Sequence, residues 1–152
     1  MRVLVDTSIW SLALRRRGGL SEEEEFLVSE LVDLINDVRV VMIGPIRQEL
    51  LSGISSGSQF DALKEHLQSF EDLSLSSEYY EKAADFFNIC QRSGVQGSHI
   101  DFLICAVAAE ANLQIYTSDH DFFLFAKHLP IRLYEPYQGR ASHSSGRNAR
   151  SR

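Results

Sequence analysis

The stretch Val3-Leu4-Val5-Asp6-Thr7-Ser8-Ile9-Trp10 decides the fold. Three consecutive apolar residues, two of them β-branched, suit a strand covered on both faces, as in a parallel sheet with helices above and below. Asp6 leaves this strand at its carboxyl end, and Thr7-Ser8 starts a helix. In an open α/β sheet, ligands bind outside the carboxyl ends of the strands, so Asp6 is a candidate wall of a ligand site. Asp followed by Thr-Ser is equally an ordinary helix N-cap. Which reading holds depends on whether other carboxylates reach the same edge.

Outward from this stretch, strands alternate with helices along nearly the whole chain. The first helix ends at Arg15-Arg16-Arg17-Gly18-Gly19, with glycine as the stop signal. Ser21 and Glu24 form a capping box, and Leu27, Leu31, Leu34 and Ile35 make an apolar stripe behind it. A second strand at 40–43 closes on Gly44-Pro45, and the helix that follows buries Ile46, Leu50 and Ile54 with Glu49 at its margin. A helix at 59–70, a weak strand at 73–75 and a helix at 77–93 come next, the last with Tyr80, Ala83, Ala84, Phe87 and Cys90 expected on its inward face. Ser98 starts the most regular helix, with Ile100, Leu103, Ile104, Val107, Ala108 and Ala111 on a buried side and Asp101 in its first turn. A strand at 113–116 runs into Thr117-Ser118-Asp119-His120-Asp121, followed by a helix at 122–127 and an edge strand at 130–134. This alternation predicts a single three-layer α/β/α domain over residues 1–137 built on a parallel sheet. Residues 138–152, rich in Gly, Ser and Arg without an apolar period, read as a disordered basic tail.

At 152 residues the chain is long enough for one core without disulfides or a structural metal. Hydrophobic residues at 44 % and charged ones at 24 % exclude a disordered chain and membrane spans while naming no function. Cys90 and Cys105 lack the paired spacing of a zinc site and read as buried thiols. The apolar run from Val3 is interrupted by Asp6 and followed, not preceded, by its arginines, so no secretory signal is read and a cytoplasmic location is expected. The net charge of −6 hides an asymmetry: the tail holds four arginines and no acid, leaving residues 1–137 with eleven Lys+Arg against twenty-one Asp+Glu, or −10. Against so acidic a body, Arg15, Arg16 and Arg17 are the candidates there for gripping a phosphate backbone, although arginines at a helix end also serve simply to solvate it.

Asp6 and Asp119 each leave a strand, Glu49 lies just inside the helix after the second strand, and Asp101 begins the helix that feeds the strand at 113–116. A helix running back antiparallel to its strand starts at that strand's carboxyl edge, so all four acids are expected on one rim. Each has a structural alternative: Asp101 completes a capping box with Ser98, Asp119 can cap a helix, and Glu49 can be a solvated helix residue. Carboxylates crowded together raise one another's pKa unless a cation shares the site. An oxygen-only donor set suits Mg²⁺ or Mn²⁺, and such an ion both lowers the pKa of a bound water and neutralises charge on a phosphodiester.

The segments Val5-Asp6-Thr7-Ser8, Glu49-Leu50-Leu51-x-Gly53, Asp101-x-x-Ile104-x-Ala106 and Thr117-Ser118-Asp119-x-Asp121-Phe122 together resemble the acidic motifs of PIN-domain ribonucleases, in particular the VapC toxins of bacterial toxin–antitoxin pairs. The resemblance runs from Val3 to about Pro136, with the motifs in order and at matching spacing. It implies a five-stranded parallel sheet of order 3-2-1-4-5, Mg²⁺- or Mn²⁺-dependent endonucleolytic cleavage of RNA, a homodimer, and inhibition by a cognate antitoxin whose carboxyl-terminal segment covers the groove. By the same resemblance, Asp6, Asp101 and Asp119 are the main metal ligands and Glu49 holds a water. Asp121 supports a second ion or the site's outer shell, Thr7 or Ser8 orients Asp6 or meets the scissile phosphate, and Thr117 and Ser118 are supporting residues. His99 and His120 fall outside the family pattern and read as surface residues. Two alternatives stay open. One is a nuclease-inactive PIN-like RNA-binding module. The other is a phosphatase of the haloacid dehalogenase type, which wants a second aspartate where this chain has Ser8.

Overall fold

The computed structural model describes residues 1–14 and 19–136. Arg15, Arg16 and Arg17, together with the basic tail expected at 138–152, lie outside the described residues. The elements follow the order β1 (Val3–Val5), α1 (Thr7–Leu14), α2 (Glu22–Asn36), β2 (Val40–Val41), α3 (Gly44–Leu51), α4 (Gly57–Leu67), α5 (Ser77–Arg92), α6 (His99–Glu110), β3 (Gln114–Tyr116), α7 (Asp121–Phe125) and β4 (Arg132–Leu133).

The strands form one sheet in the order β2-β1-β3-β4, every pairing parallel. Val3 stands opposite Val40 on one side and Gln114 on the other, and Gln114 in turn opposite Arg132. Among the described residues the sheet therefore has four strands rather than the five expected. The missing one, read at 73–75, is reduced to a single parallel bridge between Met42 and Asp72, with Leu73 N–H donating to the Met42 carbonyl at 2.9 Å. It sits beside β2, where the third strand of the expected order belongs. Leu73 and Leu75 alternate with exposed Ser74 and Ser76, and two half-buried leucines are too little apolar surface to extend a ladder on the sheet margin.

Val3, Leu4 and Val5 are all fully buried, so β1 is covered on both faces, as its unbroken apolar run demands. Helix α6 is buried nearly all round: Phe102, Cys105 and Ala106 join the expected Leu103, Ile104, Val107 and Ala108. Ile100 and Ala111 are only partly buried. A helix apolar on every side belongs in the interior. Helix α5 is turned from the expected face. Ala83, Phe86 and Cys90 are buried and Phe87 partly so, whereas Tyr80 is 52 % exposed and Ala84 is exposed. Helix α3 stops at Leu51, so Ile54 lies beyond its buried pair Ile46 and Leu50.

Side chains lock these elements in place. Ser21 Oγ accepts from Glu24 N–H and Ser21 N–H donates to Glu24 Oε1, both at 3.1 Å, completing the expected capping box of α2. Tyr116 donates its hydroxyl to the Leu27 carbonyl at 2.7 Å, and Tyr134 donates to the buried Glu30 carboxylate at 3.0 Å, tying β3 and the segment after β4 to α2. Arg47 in α3 donates to both carboxylate oxygens of Asp72, to the Leu67 carbonyl at 2.9 Å and to the Phe70 carbonyl. Gly97, before α6, has no room for a side chain: a Cβ there would lie 2.6 Å from the Phe125 ring. Cys90 and Cys105 are buried and unpaired, as read from their spacing. No helix among the described residues is long and apolar enough to cross a membrane.

Candidate active site

Because all the strands are parallel, their carboxyl ends share one edge. Asp6 stands at the end of β1 and Thr117 directly after β3, and the two strand ends are joined where Asp6 N–H donates to the Tyr116 carbonyl at 2.8 Å. Asp6 is 6 % exposed, so its carboxylate must be satisfied by the protein or by a ligand. Two hydroxyls converge on a single oxygen of it. Ser8 Oγ donates to Asp6 Oδ2 at 2.8 Å and Thr117 Oγ1 donates to the same atom at 2.9 Å. Among the described residues no hydrogen bond reaches the other oxygen, Oδ1.

This geometry sets aside the reading of the Asp6 side chain as a helix N-cap. A capping aspartate accepts backbone N–H groups through its side chain. Here Ile9 and Trp10 donate instead to the Asp6 backbone carbonyl, at 3.1 and 3.3 Å, while the carboxylate faces hydroxyls from both sides. Ser8 Oγ also accepts from Ser118 N–H at 3.0 Å, and Thr117 Oγ1 accepts from Asp119 N–H at 3.0 Å. One small network therefore runs from the β1 end through Ser8 and Thr117 into the loop that carries Asp119. Asp119 Oδ1 accepts from Asp121 N–H at 2.9 Å, which turns the chain into α7, so Asp119 is both a turn residue and a rim acid.

Of Thr7 and Ser8, it is Ser8 whose hydroxyl bonds Asp6, and Thr7 turns to Glu49 instead. Ser8 orients Asp6, while Thr7 Oγ1 donates to Glu49 Oε2 at 3.0 Å and fastens the exposed α3 glutamate beside β1. Asp101 is the fourth acid. Ser98 N–H donates to Asp101 Oδ2 at 3.0 Å and Asp101 N–H donates to Ser98 Oγ at 3.1 Å, so the capping box is real. The same carboxylate also belongs to the rim. Burial raises its pKa above the ordinary value, the Ser98 hydrogen bonds work against this, and the charges of Asp6 and Asp119 add to the rise. One turn further on, burial drives the Cys105 thiol far above its usual range, with the charges of Asp101 and Asp6 contributing, so it lies inert beneath the acids.

Asp6, Glu49, Asp101 and Asp119 thus come to one edge, with Thr7, Ser8, Thr117, Ser118 and Asp121 around them. Among the described residues no three His, Cys, Asp or Glu side chains stand close enough to form a preassembled metal cage. The donor chemistry nevertheless fits a hard divalent cation: oxygen only, Oδ1 of buried Asp6 without a hydrogen bond among the described residues, and an Asp101 carboxyl disfavoured as an anion first by burial and then by the charges of Asp6 and Asp119. His99 and His120 are exposed; His99 stacks on Phe87 at 5.4 Å and the His120 ring lies 6.0 Å from Phe123. Sequence reading missed Arg47, whose clasp on Asp72 and two carbonyls sets the helix that carries Glu49. Its partners lie 20 to 25 residues away, and no local pattern links them.

The fold recurs in solved structures. The chain is similar to FitAcB from Neisseria gonorrhoeae, at 22 % identity and a TM-score of 0.70 over 89 % of this chain and 98 % of that one. It is also similar to VapBC2 from Rickettsia felis, solved bound to a DNA fragment from its promoter, at 18 % identity and a TM-score of 0.69 over 88 % and 98 % of the two chains. VapBC-1 from nontypeable Haemophilus influenzae matches at 13 % identity and a TM-score of 0.67 over 89 % and 98 %. No curated protein matches the chain. The family model for the PIN domain matches residues 3–127, a span that holds β1, the Asp6 network, Glu49, Asp101 and Asp119. By that match, and by a parallel sheet with acids gathered at its carboxyl edge, the chain belongs to the PIN domain family.

Proposed function

We propose that this protein is a divalent-metal-dependent endoribonuclease that hydrolyses RNA phosphodiester bonds, and that it is the toxin of a toxin–antitoxin pair. The observation that carries the proposal is the buried Asp6 carboxylate, gripped at Oδ2 by hydroxyls from the start of α1 and from the residue after β3, on a rim where its charge and that of Asp119 add to the effect of burial on Asp101. A carboxylate needed only for folding gains nothing from acidic neighbours. PIN domains are generally nucleases, which supports the reading.

Asp6, Asp101 and Asp119 would hold Mg²⁺ or Mn²⁺, with Asp121 supporting a second ion or the outer shell. When bound, the cation supplies charge neutralisation at the phosphodiester and lowers the pKa of a water. The chain's own residues do the positioning. Ser8 and Thr117 fix the rotamer of Asp6, Ser118 N–H holds Ser8, and Thr7 keeps Glu49 where it can orient the attacking water. An acidic rim repels RNA by itself, so the cation also bridges protein and substrate. Arg15, Arg16 and Arg17 are proposed to grip the backbone. The likeness to the FitAcB and VapBC assemblies, with the resemblance of the acidic motifs to VapC toxins, supports a cognate antitoxin and a homodimer as partners.

The test is incubation of the purified chain with structured RNA and Mg²⁺ or Mn²⁺, with EDTA and Asp6→Asn as controls. Cleavage should fall at least about a hundredfold in both controls. Cleavage that survives both removes the metal mechanism, and turnover of p-nitrophenyl phosphate without RNA cleavage favours a phosphatase.

A further inference from the structure

Beside the acidic rim, on the far side of β3 from β1, lies a groove of about 820 Å³ between α2, α7 and the segment after β4. Thr117 and Ser118 line it, and both also belong to the Asp6 network, so groove and rim are continuous. Its walls are aromatic. Phe123 is 51 % exposed although its neighbours Phe122 and Phe125 in α7 are fully buried, so the core does not use this ring. His120 stands next to it, the ring centroids 6.0 Å apart and the planes inclined by 33°. Tyr116 and Tyr134 line the groove too, 5.2 Å apart and edge to face, with their hydroxyls committed to the Leu27 carbonyl and the Glu30 carboxylate. They form a fixed apolar floor.

Among the described residues, the charged side chains that line this groove are Glu23 and Glu135, both exposed. Carboxylates there disfavour a phosphate and accept hydrogen bonds from the N–H edge of a neutral heterocycle. We propose that the groove seats one unstacked nucleobase of the RNA strand next to the scissile phosphate, with Phe123 as its stacking platform; this rests on the nuclease reading above. Aromatic rings beside a carboxylate edge are how proteins read splayed-out bases of single-stranded RNA. The rim takes the backbone through its cation and the groove takes the adjoining base, so the two sites divide the nucleotide between them.

The experiment uses the full chain and two probes, a short single-stranded RNA of mixed sequence and the same ribose-phosphate chain made abasic. Phe123→Ala should raise KM for RNA cleavage about tenfold, with kcat changing less than about threefold, and Phe123→Tyr should restore KM. In Phe123→Trp, the fluorescence of the new indole should be quenched by the RNA and not by the abasic chain, against a wild-type background from buried Trp10. An unchanged KM in Phe123→Ala overturns the subsite and leaves the groove to a protein partner. Equal quenching by both probes overturns it in favour of backbone contact. If the wild-type chain cleaves no RNA, the nuclease reading fails on its own, and the quenching experiment still decides whether the groove holds a base.

Discussion

Asp101 meets two demands that oppose each other. Its carboxylate closes the capping box of α6, accepting from Ser98 N–H at 3.0 Å, and it does so on a rim that it shares with Asp6 and Asp119. A carboxyl whose folded pKa lies above its unfolded value binds protons more tightly in the fold. Its stabilising contribution is therefore complete below the ordinary value of 3.8 and is lost as pH rises through the higher folded pKa. At neutral pH the ionised group costs stability. Asp101→Asn keeps the acceptor for Ser98 N–H and removes the charge, so in EDTA at about pH 7 its Tm should rise by about 2 °C, a figure discounted because the side chain is only partly buried. The gain should vanish as pH falls below the ordinary value of 3.8, where the carboxyl is protonated in both the folded and the unfolded chain. Added Mg²⁺ should raise the Tm of wild type and leave the variant nearly unmoved, since an ion that binds only the folded state stabilises it by mass action. Asp101→Ala cannot make this separation, because it removes the cap along with the charge. A lower Tm for Asp101→Asn at neutral pH would sink the idea that burial and the neighbouring acids disfavour the ionised carboxyl here.

At the scale of elements, α3 is held less by its own propensity than by Arg47. The helix is eight residues long and has no side-chain cap, and an isolated helix of that length is unstable in water. Arg47 reaches the Leu67 carbonyl at the end of α4, the Phe70 carbonyl just beyond it, and both oxygens of Asp72, the residue that makes the isolated bridge to Met42. Asp72 is exposed, so the ion pair itself contributes little and the carbonyl bonds contribute most. Arg47→Ala should lower stability by about 2 kcal/mol, seen as a reduced urea midpoint at unchanged slope. Arg47→Lys should recover less than half of that, because an ammonium cannot reproduce the planar fork. Full recovery by lysine would show that charge alone matters there. Helix α5 shows why such facts elude local reading. Tyr80, Ala84 and Phe87 form one apolar row, and Tyr79, Ala83, Phe86 and Cys90 form the next row round the helix. Helical periodicity allows either, and in the fold Ala83, Phe86 and Cys90 of the second row are buried, while Phe87 of the first meets Phe102 and His99 of α6.

For the molecule as a whole the governing quantity is charge. Residues 1–137 carry −10, and the four arginines at 140, 147, 150 and 152 form a block of opposite sign beyond them. A nuclease with an acidic body gains affinity for RNA from its bound cation and from whatever cationic chain lies nearby, and the second source is sensitive to salt. Replacing Arg140, Arg147, Arg150 and Arg152 by serine should reduce the slope of log affinity against log salt for single-stranded RNA by about 2 to 3, roughly 0.7 for each lost phosphate contact. Tm, measured on the same samples, should stay within about 2 °C of wild type if the substitutions act on RNA affinity and not on the fold. An unchanged slope would mean that the tail does not touch the substrate.

Taken alone, the sequence determined the order of the elements, the parallel α/β architecture and the acids that fall at strand or helix ends. These follow from interactions a few residues long: the unbroken apolar run Val3-Leu4-Val5, the capping pairs Ser21 with Glu24 and Ser98 with Asp101, and glycines at helix ends. Only the tertiary structure decided that the 73–75 segment stops at one bridge, which face of α5 turns inward, and that Ser8 and Thr117 share a single oxygen of Asp6. Thr117 lies 111 residues from Asp6, and Arg47 lies 25 from Asp72. Such contacts arise when separate elements pack, and no period of 2 or 3.6 along the chain encodes them.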